Sequence, residues 1–157
     1  MPHIHDRYDF VVSIFIIHRG RVLLIDHHRY EEWLPIGGHI ELDEDPLQAL
    51  RREVREESGL AIRLLAKAPA VAHRGVRPLP PPAYLDAHHI RGRHWHIAFI
   101  YFALARSGNV RLHRREHRAF RWVGEDELHD RRLRLTPSIR FYCRRALAAA
   151  RRAARRR

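Results

Sequence analysis

The stretch GHIELDEDPLQALRREVREESGL, Gly38 to Leu60, decides how this chain folds. It sets five glutamates (Glu41, Glu44, Glu53, Glu56 and Glu57) into a protein whose formal net charge is +12. Glu53, Glu56 and Glu57 stand at i, i+3 and i+4, so a helix gathers them on one face. Like charges so placed repel one another. A hard divalent cation, which prefers oxygen ligands, removes that repulsion. The segment therefore reads first as a metal site. A merely exposed acidic helix is the alternative, and it leaves the glycine, the arginine and their spacing unexplained.

The helix carries its own boundary signals. Asp43 or Asp45 can cap it, and Pro46 suits the first helical position, where no N–H is needed. Leu47, Leu50 and Val54 recur at spacings of three and four, which gives an apolar stripe for the core. Gly59 ends it, because glycine at C′ takes a left-handed conformation cheaply. These signals predict a helix from about Pro46 to Ser58. Ahead of it, Gly37 and Gly38 permit close backbone approach to a ligand, and Glu44 lies near enough to join the acidic cluster.

Gly38, five residues, Glu44, seven residues and then Arg52-Glu53-Val54-Arg55-Glu56-Glu57-Ser58-Gly59-Leu60 together resemble the complete box of the Nudix (MutT-like) hydrolases. A weaker likeness runs from about Phe10 to Leu147, through LPIGGHIE, HWHIAFIYFAL and FRWV. Ile36 stands where many family members have proline, which alters loop rigidity rather than metal chemistry. The resemblance implies an α/β fold, an αβα sandwich with a central mixed sheet flanked by helices. It implies hydrolysis of a nucleoside diphosphate linked to a group X, with Mg²⁺ or Mn²⁺ as cofactor. The metal ligands it implies are Glu53, Glu56 and Glu57, with the Gly38 carbonyl as a further donor. Glu57 or Glu53 is the base, and the sequence does not choose between them. Arg52 is expected to pair with Glu44 or a neighbouring carboxylate and fix the cluster. Glu116 approximates a family position that supplies another ligand or base; a surface ion pair with Arg114, Arg115 or Arg118 is weighed equally. Candidate substrate contacts are Arg29, Tyr30, Trp33, Glu44, His94 and His96, with Trp33 equally suited to packing. His94 and His96 share one strand face. Zinc is disfavoured there because no cysteine or third ligand stands nearby in sequence, so hydrogen bonding toward substrate is the expectation.

Outward from the box, Tyr8 to His18 and Arg21 to His28 read as a hairpin joined by Arg19-Gly20. Trp33 to Ile36 leads into the glycines as a short strand or loop. Leu60 to His73 reads as extended, and Arg77 to Pro82 as a stiff proline connector. Tyr84 to Ile90 and His94 to Ala105 read as strands, the second apolar on both faces like a central strand. Ser107-Gly108-Asn109 is predicted to turn, Phe120 to Val123 to form a strand and Glu125 to Leu128 a short helix. The last helix is expected from Ser138 to about Arg152, capped by Thr136 or Ser138. Residues 1–157 are taken as one domain, with Ala146 to Arg157 an arginine-rich helix end that frays in solvent.

Composition bounds the partners. No apolar run is long enough for a membrane span, and no signal peptide is read at Tyr8 to His18. The single cysteine, Cys143, excludes an internal disulfide and fits a reducing cytoplasm. Lys67 is the only lysine, so the positive charge is arginine, the better fork for phosphate. Its even spread is weighted toward a compositional bias of the genome over a nucleic-acid surface. A small nucleotide derivative is thus the expected partner, with RNA 5′ ends or a non-catalytic nucleotide sensor as alternatives. A homodimer is compatible with the family.

Overall fold

A computed structural model describes residues 7–28, 32–71, 73–113, 115 and 117–156. In chain order the strands are β1 (Tyr8–His18), β2 (Arg21–His27), β3 (Glu32–Leu34), β4 (Ile36–His39), β5 (Ile62–Leu64), β6 (Tyr84–Arg91), β7 (His94–Ala105) and β8 (His117–Val123). The helices are α1 (Pro46–Ser58) and α2 (Pro137–Arg155).

Alternation along the two long strands explains the layering. On β1, Val12, Ile14 and Ile16 are buried with Ala49, Leu50 and Val54 of α1. Val11, Phe15 and Ile17 of the same strand are buried with Tyr142, Cys143, Ala146 and Leu147 of α2. On β7, Tyr101 and Ala103 join the first core, and Ala98, Ile100 and Phe102 join the second. A sheet buried on both faces needs cover on both, and one helix supplies each side. The α/β sandwich expected from the sequence is thus the observed fold.

The sheet is mixed. β7 runs parallel to β1, from Tyr8 opposite Trp95 to Ile17 opposite Leu104. β4 pairs antiparallel with the first half of the other edge of β1, where Val12 faces Gly38. β2 turns back from β1 through Arg19 (φ 47°) and Gly20 (φ 73°), the double left-handed turn that matches strand twist. β3 and β8 pair with β2, while β5 and β6 pair with β7.

Both helices begin on the signals read from sequence. Asp45 accepts from Leu47 N (2.8 Å) and Gln48 N (3.0 Å), and Gln48 Oε1 accepts from Asp45 N (2.9 Å), a reciprocal capping box. Gly59, at φ 63°, ends α1 and donates back to Val54 and Arg55. Thr136 caps α2 through Ile139 N (3.3 Å).

Several elements differ from expectation. Among the described residues from Leu60 to His73, only Ile62–Leu64 finds a strand partner, the end of β7. Ser107 to Asn109 forms no regular turn. Its conformation is set by distant partners: Trp122 Nε1 donates to Gly108 O (3.2 Å), and Arg111 N donates to Ser58 O (2.8 Å). β8 starts at His117 rather than Phe120, because β2 offers an edge as far as His27. The short helix near Leu128 is a 3₁₀ turn, Asp126–His129, followed by another at Arg131–Leu133. α2 begins at Pro137 and stays helical to Arg155, with Arg151 bonded to Glu125 (2.6 Å). No helix among the described residues is long and apolar enough to cross a membrane.

Candidate active site

Residues Glu44, Arg52, Glu53, Glu56 and Glu57 come together on the polar side of α1, next to β4. Arg52 is their hub. Its Nε and Nη2 donate to the two oxygens of Glu44 (2.7 and 2.9 Å), and Nη1 donates to Glu53 Oε1 (2.7 Å). Nη2 also donates to the His39 carbonyl (2.9 Å), and Nη1 lies 3.5 Å from Glu56 Oε2. The planar fork thereby ties the helix, the loop before it and β4 into one unit. Glu44 also accepts from Glu41 N (3.2 Å), and the guanidinium beside it holds its carboxyl below the usual range.

Two carboxylates face inward. Glu53 is 8% exposed and Glu57 6%, whereas the Glu56 side chain is 52% exposed. Burial pushes the Glu53 carboxyl up to about 7, with Arg52 pulling the other way. The double glycine makes room for this pair. A Cβ on Gly38 would occupy the space of the Glu53 carboxylate, and one on Gly37 would strike the Val12 carbonyl. Glu57 Oε2 accepts from Gly37 N (3.2 Å), and His117 Nε2 lies 3.0 Å from Glu57 Oε1. With Glu57 as the ionised carboxylate, Nε2 is the donor of this bond.

The donor set fits a hard divalent ion. Glu44, Glu53 and Glu56 gather around the single Arg52 guanidinium, and Glu57, one turn of α1 beyond Glu53, adds a further buried carboxylate. Oxygen donors of this kind suit Mg²⁺ or Mn²⁺.

The remaining candidates are placed as follows. Trp33 is partly buried against the core under α2. His94 and His96 lie on the α2 side of β7, on the same face as Ala98, so the sheet separates them from α1. The expectation that they lack a third partner is corrected here: Asp9 of β1 stands directly beside His96. Arg29, Tyr30 and Glu116 lie outside the described residues. Gly37 was read from sequence as a point of close backbone approach, whereas His117 and Asp9 were not singled out. Asp9 had a signal, being a carboxylate inside an apolar strand, whereas His117 had none, since only folding brings it to Glu57.

Similarity to known proteins agrees with the fold. The NUDIX domain family matches residues 7–143. A NUDIX-family hydrolase from Clostridium perfringens is 29% identical, covering 89% of this chain and 96% of that one, with TM-score 0.76. The E. coli ORF135 protein is 26% identical, covering 92% and 94%, with TM-score 0.59. A MutT NUDIX hydrolase from Burkholderia pseudomallei, 24% identical over 88% and 98%, shares the fold with TM-score 0.64. No protein of curated function matches the chain. With a family match spanning most of its length and the same fold in solved NUDIX hydrolases, the chain belongs to the NUDIX family and is a hydrolase of pyrophosphate bonds.

Proposed function

We propose that this hydrolase is dependent on Mg²⁺ or Mn²⁺ and cleaves a nucleoside diphosphate linked to a group X, releasing nucleoside monophosphate and phospho-X. The observation that carries the proposal is the convergence of buried Glu53 and Glu57 on the Gly37-Gly38 backbone. Glu53, Glu56 and Glu57, with the Gly38 carbonyl, would hold the ion. A bound divalent ion neutralises pyrophosphate oxygens and acidifies water at the site.

The chain's own residues supply order. Arg52 is a positioning residue that fixes Glu53 against β4 and holds Glu44 in place. Gly37 N and His117 fix the two oxygens of Glu57 from opposite elements. The proton of the attacking water passes to one of the two buried carboxylates, Glu53 or Glu57, both of which lie within this preorganised cluster. The net charge of +12 favours the approach of a polyphosphate toward an otherwise acidic site.

A product-resolved screen tests this reading. The protein is incubated with Mg²⁺ or Mn²⁺ and a panel of nucleoside triphosphates, ADP-ribose, dinucleoside polyphosphates, nucleotide sugars and 5′-triphosphorylated RNA. Nucleoside monophosphate plus phospho-X, formed only with metal, is the expected result. Tight nucleotide binding without product would instead identify a sensor. Preference for RNA, weakening steeply with salt, would shift the substrate to RNA ends.

A further inference from the structure

A second cluster of ligand-type side chains lies on the α2 face of the sheet, away from the carboxylates of α1. The parallel pairing of β1 with β7 sets Asp9 beside His96, and His94 shares the His96 face two residues earlier. β4 adds His39, whose backbone partner on β1 is Val11. Thus three adjacent strands contribute to one spot. Asp9 is 0% exposed, His96 8%, and the His94 side chain 12%.

Asp9 Oδ2 is 3.1 Å from His94 Nε2 and 3.3 Å from His39 Nε2. One ligand atom each from Asp9, His94 and His96 fall within 4.8 Å of one another. The His39 and His94 rings meet the His96 ring at 5.0 and 5.4 Å. Ligands around a tetrahedral zinc ion, with bonds of about 2.0–2.1 Å, are about 3.3–3.4 Å apart. The Asp9 spacings to His94 and His39 are close to that edge length, while His96 lies within 4.8 Å of Asp9 and His94 and closes on the ion by a small ring movement. Imidazole nitrogens with one carboxylate oxygen form a borderline donor set, suited to Zn²⁺ and unlike the all-oxygen set of α1.

We propose that Asp9, His94 and His96, with His39 as fourth ligand, form a structural Zn²⁺ site distinct from the α1 carboxylates. Such an ion cross-links β4, β1 and β7 at the ends where the two long strands begin. It also steadies β4, the strand whose Gly37 and Gly38 shape the space around Glu53 and Glu57. The competing interpretation is an Asp–His hydrogen-bonding cluster that binds no metal.

The test uses the full chain without an affinity tag, stripped by a chelator. It is titrated with Co²⁺ and then Zn²⁺ in excess Mg²⁺, with bound metal counted by elemental analysis. Expected are one equivalent of zinc per chain, the visible spectrum of four-coordinate Co²⁺, and displacement of that spectrum by Zn²⁺. Zinc affinity should fall by at least about a hundredfold in Asp9→Asn and His96→Ala and stay within about threefold in Glu53→Gln and Glu57→Gln. Circular dichroism establishes that each variant is folded, and His94→Gln substitutes for one that is not. Failure of the wild-type chain to bind stoichiometric zinc would overturn the proposal. So would zinc binding that Asp9→Asn and His96→Ala leave intact, or binding lost in Glu57→Gln.

Discussion

Arg52 shows how much of the proposed active site rests on one side chain. Its fork holds Glu44 with two parallel hydrogen bonds, Glu53 with a third and the His39 carbonyl with a fourth. Lysine has a single ammonium and cannot reproduce that geometry. Arg52→Lys is therefore expected to lower turnover by about tenfold or more while the fold persists, which steady-state kinetics and circular dichroism together would reveal. Glu53 gives a pH signature. Without metal its folded pKa, about 7, lies above the ordinary 4.5. A raised acid favours the protonated folded state, so its stabilising contribution is complete below about pH 4.5 and is lost as pH rises through 7. Metal must displace that proton. Apparent Mn²⁺ affinity, measured by titration calorimetry, should rise by up to about tenfold per unit from pH 5 to 7 and level off above. A flat profile over that range would contradict the burial-raised carboxyl. Gly38→Ala pushes a methyl into the Glu53 carboxylate, so metal binding should weaken even where the chain folds.

At the scale of elements, α1 was readable because its determinants are local. Pro46, the Leu50 and Val54 stripe and Gly59 each act within a turn or two of the helix they define. Other segments take their shape from partners far along the chain. The 107–109 segment follows Trp122 and the end of α1, and the start of β8 follows the β2 edge, so their own residues carry little signal. The same contrast divides the site. The glutamates sit on one periodic helix and could be found by spacing. His117 reaches Glu57 only through the β2–β8 pairing, and Asp9 reaches His96 only through the parallel β1–β7 pairing. The capping box can be tested separately from catalysis. Asp45→Ala removes the one oxygen that accepts from two N–H groups of the first turn of α1 and should cost about 1 kcal/mol, seen as a melting temperature lower by a few degrees, with turnover nearly unchanged.

Across the whole molecule, the sheet is held between two cores that share its strands. Leu50 anchors α1 and Leu147 anchors α2, and each is almost fully buried. Truncating either to alanine should cost about 2–5 kcal/mol, measured by chemical denaturation. Because β1 and β7 serve both cores, the two variants are expected to unfold in single transitions rather than lose one layer at a time. The sheet also sets the chemistry of its two sides, with clustered carboxylates beside α1 and an Asp–His group on the face toward α2. The proposed function places catalysis on the first of these. The most direct test compares wild-type and Glu57→Gln turnover on one nucleoside diphosphate derivative under saturating Mg²⁺. Turnover is expected to fall by about a hundredfold or more with the circular dichroism spectrum unchanged. Hydrolysis by Glu57→Gln at near wild-type rate would contradict the role of the α1 carboxylates.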